Sequence, residues 1–483
     1  MKKTFIYCLL VAALAVPTFF RMVRYGIHTT QDYHFFRLLE FDKCVRAFTF
    51  PCRWAPDAGL GYGEPLFNFY GQLVYAVGEI FHLVGFSLID SIKMLFILSL
   101  LLSGLSMFFL AKKIWGNSLA GIVAAALYMY APYRAVDVWV RGALPEAFSF
   151  VIFPLIILAI EKKHKLWFGI LVAVLILTHN LSLVLFLPVL MGWIVYRKAW
   201  GMIPAALGSA LLSAFYILPV IFEAKYVNLE STIRGYFDFR AHFTTLSQLL
   251  ISRFWGYGAS LWGPVDDLSL SVGQIQWILP VATFIAVVLT RKLREYRALA
   301  VLIFLGWVSL FLTHNKSAFI WELLPPMAYI QFPWRFLGPA TFCFALASGS
   351  VVNLIKNKKI IITIAICAIA IVLNVGFFKE DIWQNIKDED LTTGEAWNIQ
   401  RTASIGDFWP NFGHEIPSKP ATGEYINYFS GWVGISSPKG GLIPSQGAVF
   451  KDTEIRKIGN SISLISLIVF VSLFFHKRRL SEK

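Results

Sequence analysis

Charge is scarce in this chain. Only 15% of its 483 residues are Asp, Glu, Lys or Arg, against 57% hydrophobic. That balance excludes both a water-soluble globular composition and a disordered one. Motifs for soluble cofactor chemistry are missing as well. No Gly-rich loop runs into Lys-Ser/Thr, and "GLGYGE" at 59–64 lacks the strand–turn–helix setting of a nucleotide site. There is no HExxH zinc helix and no GxSxG nucleophile elbow. The five cysteines include no C-x-x-C pair, which removes zinc-ribbon and thioredoxin-like sites. No internal repeat is visible, which weighs against an inverted-repeat transporter.

What is present is a series of long apolar segments. Runs such as "IKMLFILSLLLSGLSMFFL" and "IIITIAICAIAIVLNVGFF" are long enough for a helix to cross a hydrocarbon layer of about 30 Å. We place spans at about 3–20, 91–111, 118–132, 147–160, 166–178, 181–196, 200–221, 273–290, 298–313, 336–354, 360–377 and 458–475. The net charge of +14 follows the same pattern. Basic clusters at Lys2-Lys3, Lys112-Lys113, 162–165, Arg197-Lys198, 291–297, 356–359 and 477–479 fall between alternate apolar segments. Short Lys/Arg-rich loops stay cytoplasmic, so the charge reads as a topology signal and not as a nucleic-acid footprint. The expected fold is an all-α polytopic membrane protein of about twelve transmembrane helices, with both termini cytoplasmic and its long loops outside.

Three units follow from this reading. Residues 1–378 form the transmembrane domain, with a large first outer loop at 21–90. Residues 379–457 form a small, turn-rich and β-rich extracytoplasmic module. Residues 458–483 are a last span and a basic tail. The first segment also looks like a signal peptide, with a small-residue site at Ala13–Ala15; an uncleaved span is the reading adopted. Residues 66–86 are expected as one apolar helix along the outer interface, with a re-entrant hairpin as the alternative. Cys44 and Cys52 share the outer loop and are either a disulfide or two half-buried thiols. Cys8, Cys343 and Cys367 are packing residues.

Polar residues at membrane depth cost free energy, so each asks for a reason. Asp32 follows the first span. It suits a general base or a ligand for a divalent cation, and equally an N-cap of the run "YHFFRLLEFDKCVRAF". Glu40 and Asp42 on that run read as ordinary solvated charges. Arg134, Asp137 and Arg141 sit at helical spacings of three and four, with Glu146 opening the next span. They form an ion network or a phosphate cradle in which Asp137 orients the arginines. His179 and Asn180 interrupt two apolar runs, as a site or as a hydrogen-bonded turn. Trp334 and Arg335 stand at the mouth of another span, as interfacial anchors or phosphate ligands. Arg53-Trp54 repeats that pairing in the first loop. Asp266-Asp267 reads as a cation ligand pair or a solvated turn.

"QDYHFFR", "PCRWAPDAGLGYGEPLFNFYGQLVY", "APYRAVDVWVRGALPEAFS", "LTHNLS" and "QFPWRF", in that order, resemble the prokaryotic membrane proteins labelled 6-pyruvoyl-tetrahydropterin synthase-related. The late "FKDTEIRKIGNSISLISL" also fits. The nine histidines are scattered, so the pterin activity of the label has no support. The family looks like part of the GT-C class of integral-membrane glycosyltransferases. That resemblance implies a polyprenyl-phosphate-linked sugar as donor and an essential acid in the first outer loop, where Asp32 stands. Tyr33 and His34 follow Asp32 where that class often has a second acid, which leaves a divalent cation open. On this reading Asp32 is catalytic. His34, Arg37, Arg53, Trp54, Tyr62, Tyr133, Asp137, Arg141, Glu146, His179, Asn180, Trp334 and Arg335 bind substrate, within a setting of membrane lipids and without nucleic acid. A flippase or exporter of lipid-linked glycans is the alternative, as is a non-catalytic partner in envelope assembly that docks through 379–457.

Overall fold

The computed structural model describes residues 2–263, 266–403, 405–412, 415–433 and 441–481. Gly413, His414 and residues 434–440 of the turn-rich segment lie outside the described residues, as do the side chains of the basic run at 477–479.

Helices account for most of the described chain, because apolar runs without Gly or Pro clusters close their backbone hydrogen bonds internally. The principal helices are α1 (Lys2–Phe19), α2 (Tyr33–Arg46), α3 (Leu73–Leu83), α4 (Leu88–Trp115), α5 (Ser118–Met129), α6 (Leu144–Glu161), α7 (Lys165–Thr178) and α8 (Asn180–Arg197). They continue with α9 (Ile203–Leu212), α10 (Ala214–Phe222), α11 (Gln274–Leu289), α12 (Arg297–Thr313), α13 (Leu337–Ser348), α14 (Lys359–Asn374) and α15 (Glu454–Ser481). Each of the twelve apolar segments read from the sequence is helical. Among the described residues, seven helices are long and apolar enough to cross a membrane, or up to nine if each bent pair counts as one span. The bent pairs are Ser118–Met129 with Pro132–Val140 and Trp200–Leu212 with Ala214–Phe222. Helices α7, α11 and α12 are apolar but shorter. The chain is a multi-pass α-helical membrane protein.

Local chemistry sets the boundaries. Ser87 caps α4 by accepting from the Asp90 amide at 3.0 Å, and Gly116 ends it in the left-handed region. Asn117 then caps α5 through the Leu119 amide at 2.8 Å. The Ala-rich α5 is buried along its whole length except its first residues, packed against α4, α13 and α14. Small side chains allow that close approach, as in membrane bundles generally. Helix α15 closes the bundle against α9 and α10.

Residues 66–86 are not one helix. A short turn at Leu66–Phe69 stops before α3 begins at Leu73. The break is a packing requirement: a Cβ on Gly71 would lie 2.4 Å from the Thr178 carbonyl oxygen at the end of α7. Cys44 and Cys52 are joined by a disulfide. Glu40 and Asp42 are buried, contrary to the solvated charges expected. Glu40 accepts from Lys43 at 2.6 Å and from the Asp57 amide at 3.1 Å. Asp42 holds Arg46 through both oxygens, at 2.7 and 2.8 Å.

The described part of 379–457 sits on the 21–90 loop. Strand β1 (Ile27–His28) pairs antiparallel with β2 (Trp383–Gln384), register Ile27↔Gln384. Two further antiparallel pairs follow: β3 (Tyr425–Asn427) with β5 (Leu442–Pro444), and β4 (Trp432–Val433) with β6 (Val449–Phe450). Short helices at Asp388–Leu391, Gly394–Arg401 and Ile405–Phe408 share the segment, so it is mixed and not purely β.

Candidate functional site

A cavity of about 810 Å³ opens where α2, the 140–146 loop, the α7–α8 junction, the 229–237 turns and the 329–335 turns converge. Arg141, Glu146, His179, Asn180, Trp334 and Arg335 line it, and Arg37 joins them from α2. Tyr133 and Asp137 stand directly behind. Residues singled out in four separate stretches of sequence thus line one cavity.

The chain reaches this geometry through a distorted segment. After Pro132–Ala135 the helix widens to a π-helical turn at Val136–Val140 and ends at Gly142, φ +57°. A Cβ on Gly142 would meet the Thr30 carbonyl oxygen at 1.8 Å, so only glycine allows this loop to lie against the start of α2. Tyr33 clamps the junction, its hydroxyl donating to the carbonyls of Arg141 (3.0 Å) and Gly142 (2.7 Å).

Charge in the cavity wall is arranged in layers. Arg141 donates through Nη1 to Asp137 Oδ1 at 2.8 Å and to Glu146 Oε2 at 2.9 Å. Tyr133 donates its hydroxyl to the other Glu146 oxygen at 2.5 Å. Arg335 Nε lies 3.7 Å from Glu146, and its Nη1 donates to the Ile330 carbonyl at 2.9 Å. Arg134, fully buried, stands 3.8 Å from Asp137 with its guanidinium over Phe150. The Arg–Asp–Arg pattern is thus an ion network, and its carboxylates hold Arg141 and Arg335 in the cavity wall. Among the described residues, neither Arg141 Nη2 nor Arg335 Nη2 has a protein acceptor. Trp334 Nε1 and Arg335 Nε are buried donors without one. Buried donors of this kind are rare in folded proteins.

Trp334 is not an interfacial anchor. It is 2% exposed, carries the Arg141 guanidinium 4.7 Å above its ring and stacks on Phe332 at 4.9 Å. His179 bonds Ser182 Oγ at 2.7 Å, and the Asn180 side chain accepts from the Leu181 amide. Both sit at the α7–α8 break, where a turn and a cavity wall coincide.

Five expected residues lie elsewhere. Asp32 does not line the cavity and makes no side-chain N-cap bond. It accepts from Gln384 Nε2 at 3.2 Å, and burial pushes its carboxyl up to about 6. His34 is a packing group: Nε2 donates to the Gly142 carbonyl at 2.6 Å, and Nδ1 accepts from the Tyr75 hydroxyl at 2.8 Å. Burial, with Arg37 adding to it, drives its pKa well below the ordinary histidine value, so the ring is neutral. Arg53 spends its donors on Asp452 (3.0 Å), Asn68 (3.0 Å) and Asn460 (2.9 Å). Trp54 packs among Phe429, Trp432 and Phe450, and Tyr62 against Trp409. Arg53, Trp54 and Tyr62 fasten the first loop to the late segment that carries Trp409, Phe429, Trp432, Phe450, Asp452 and Asn460.

Two acids were missed. Asp407 lines the cavity from the helix Ile405–Phe408, and burial raises its pKa against the opposing effect of Arg37. Glu64 is fully buried, and neither carboxylate oxygen has a hydrogen-bond partner among the described residues. Burial, reinforced by the charge of Asp407, drives its pKa well above the carboxylate range. Nothing local in "GEPLF" or "GDFWP" marks either one. Contacts with other segments place them: Ser231 Oγ donates to the Gly406 carbonyl at 2.8 Å and Asn228 N to the Trp409 carbonyl at 3.1 Å, pinning 406–411 across the cavity, while Glu64 is held by its antiparallel bridge to Ala55. Among the described residues, no three of His, Cys, Asp and Glu gather as a metal site, and Asp266 instead accepts from Gln248 at 2.5 Å.

No family model and no curated protein matches the chain, so the family resemblance stands on the quoted motifs alone. Among solved structures, the chain is similar to the oligosaccharyltransferase of Archaeoglobus fulgidus in its apo form. Identity is 14% and the TM-score 0.44, over 79% of this chain and 56% of that one. It is also similar to that protein's complex with Zn and sulfate, at 15% identity and a TM-score of 0.36, over 86% and 58%. The chain spans little more than half the length of either.

Proposed function

We propose that this protein is a membrane glycosyltransferase that takes its sugar from a polyprenyl-phosphate donor and passes it to an acceptor hydroxyl on the outer side of the membrane. The observation that carries the reading is the Arg141–Glu146–Arg335 arrangement. Two guanidiniums are held from behind by one carboxylate, with donors left facing a large cavity at the ends of apolar helices. A planar fork suits phosphate oxygens, and a phosphate beside apolar helices is most naturally that of a lipid.

In the reaction the acceptor oxygen attacks the anomeric carbon. The bond from that carbon to the phosphate oxygen breaks, and its electron pair leaves with the polyprenyl phosphate. Arg141 and Arg335 stabilise the charge that grows on the leaving phosphate. The acceptor proton needs a base that faces the cavity. Asp407 does so and Asp32 does not, so we assign the proton to Asp407. Tyr33 and Tyr70 offer ring faces for the sugar.

The test is mass spectrometry of lipids that copurify in mild detergent with wild-type, Asp407→Asn, Asp32→Asn and Arg335→Gln protein. The expected result is a polyprenyl-phosphate sugar enriched on Asp407→Asn and lost from Arg335→Gln. Enrichment on Asp32→Asn alone would return the base to the first loop. Bulk phospholipid on all four proteins would refute the lipid-phosphate site.

A further inference from the structure

A second cavity, of about 470 Å³, lies at the opposite ends of the same helices. It forms where α6 ends, α7 begins and α8 ends, and it takes in Glu161, Lys163, Lys165, Arg197, Lys198 and Gly201. Helices α6 and α8 have 18 residues each, about 27 Å at 1.5 Å per residue. Glu146 and Asn180, in their first turns, belong to the first cavity. The two cavities are therefore separated by about one hydrocarbon thickness and face opposite sides of the membrane.

This pocket is built and not merely basic. Glu161 holds Arg197 through two parallel bonds, Nε at 2.7 Å and Nη2 at 2.8 Å, and accepts Trp193 Nε1 at 2.9 Å. Arg197 also lies over the rings of Tyr196 and Trp193, at 4.9 and 5.3 Å. The guanidinium is thereby fixed with Nη1 left over. Glu161 is spent on these contacts. Lys163, Lys165 and Lys198 have no carboxylate partner among the described residues. Lys165 is folded over Gly201, where a Cβ would come within 3.3 Å of its ammonium. Lys163 and Lys198 hold left-handed backbone, φ +54° and +52°, at helix ends where glycine is the relaxed choice. Ile160, Ala199 and Met202 make the apolar floor.

We propose that this pocket binds a phosphate group, most directly the headgroup phosphate of an anionic lipid in the leaflet opposite the first cavity. Three uncompensated ammoniums and a pre-set guanidinium converge on a concavity with an apolar floor, which matches a phosphate carried on an acyl chain. The proposal does not depend on the transferase reading.

The test uses full-length protein in detergent, with two variants. Lys165→Gln/Lys198→Gln removes charge; Gly201→Leu fills the pocket and keeps the charge. Native mass spectrometry is run with phosphatidylglycerol and phosphatidylcholine, and thermal unfolding with inorganic phosphate. The expected result is one tight phosphatidylglycerol per wild-type chain, preferred over phosphatidylcholine and weakened about tenfold or more in both variants. Stabilisation of wild type alone by inorganic phosphate, without lipid preference, would assign the site to a soluble phosphate. Equal phosphatidylglycerol binding by all three proteins, with no effect of phosphate, overturns the proposal.

Discussion

Replacing Glu64 by Gln gives a stability change whose pH dependence follows from the structure. Glu64 is fully buried beside Gly59 and Trp409, without a hydrogen-bond partner for either oxygen among the described residues. Burial therefore raises its folded pKa far above that of the unfolded chain. The native state keeps a proton that the unfolded state releases once pH passes the ordinary glutamate value of about 4.3. Because the native state binds more protons, stability falls as pH rises through that window, by about 1.4 kcal/mol per pH unit. Glutamine carries no titratable proton, so its packing cost or gain is the same at every pH. The stability of Glu64→Gln relative to wild type should thus improve as pH rises from 5 to 7, by up to about 1.4 kcal/mol per pH unit. In a chain of this size each such step moves the unfolding midpoint by on the order of 1 °C. Intrinsic tryptophan fluorescence of detergent-solubilised protein, scanned at pH 5, 6 and 7, reads it directly. A gap between the two proteins that stays constant with pH would refute the reasoning. A wild type that gains on the variant as pH rises would show Glu64 ionised and paired.

Arg335→Gln should raise the donor KM about tenfold to a hundredfold, the worth of one charge-assisted hydrogen bond, with Glu146 still held by Arg141. Steady-state kinetics with a synthetic lipid-phosphate sugar checks this. Gly142→Ala should abolish the site and lower the yield of folded protein, because the new Cβ has no room beside the Thr30 carbonyl; size-exclusion profile and activity read both. Cys44→Ser/Cys52→Ser should lower stability by about 2.5 kcal/mol, the chain-entropy value for a loop closed over a separation of eight residues. The same loss should appear in wild type after reduction. If Asp407 is the base, the transfer rate should rise with pH through a pKa above the ordinary aspartate value, since burial favours its protonated, inactive form. A rate with no rise on the acid side would assign the proton elsewhere.

Much of the site was legible because its residues stand out against an apolar background. Arg141, Glu146, His179 and Arg335 each interrupt or border an apolar run, and a polar group there needs a partner or a purpose. The same logic misjudged Arg53 and Trp54. Their Arg–Trp spacing repeats that of Trp334-Arg335, yet the partners that use them up, Asp452, Asn460, Phe429 and Phe450, are nearly four hundred residues away. Sequence spacing cannot show which donors a distant segment will consume. It also read Glu40 and Asp42 as solvated from their helix alone, although the 57–64 turn and α3 cover that face.

The sequence by itself determined the class of the protein: apolar runs of this length must close their hydrogen bonds as helices, and the basic loops mark where the runs end. It also determined where polar residues would need an explanation. The tertiary structure decided which of them meet. Asp32 turns toward Gln384 while Asp407, late in the chain, turns into the cavity, because β1–β2 pairing brings Gln384 beside the start of α2 and the 226–231 turns pin 406–411 across the opening. Those contacts depend on backbone hydrogen bonds between remote segments, and backbone groups are the same in every residue, so no pattern of side chains announces them.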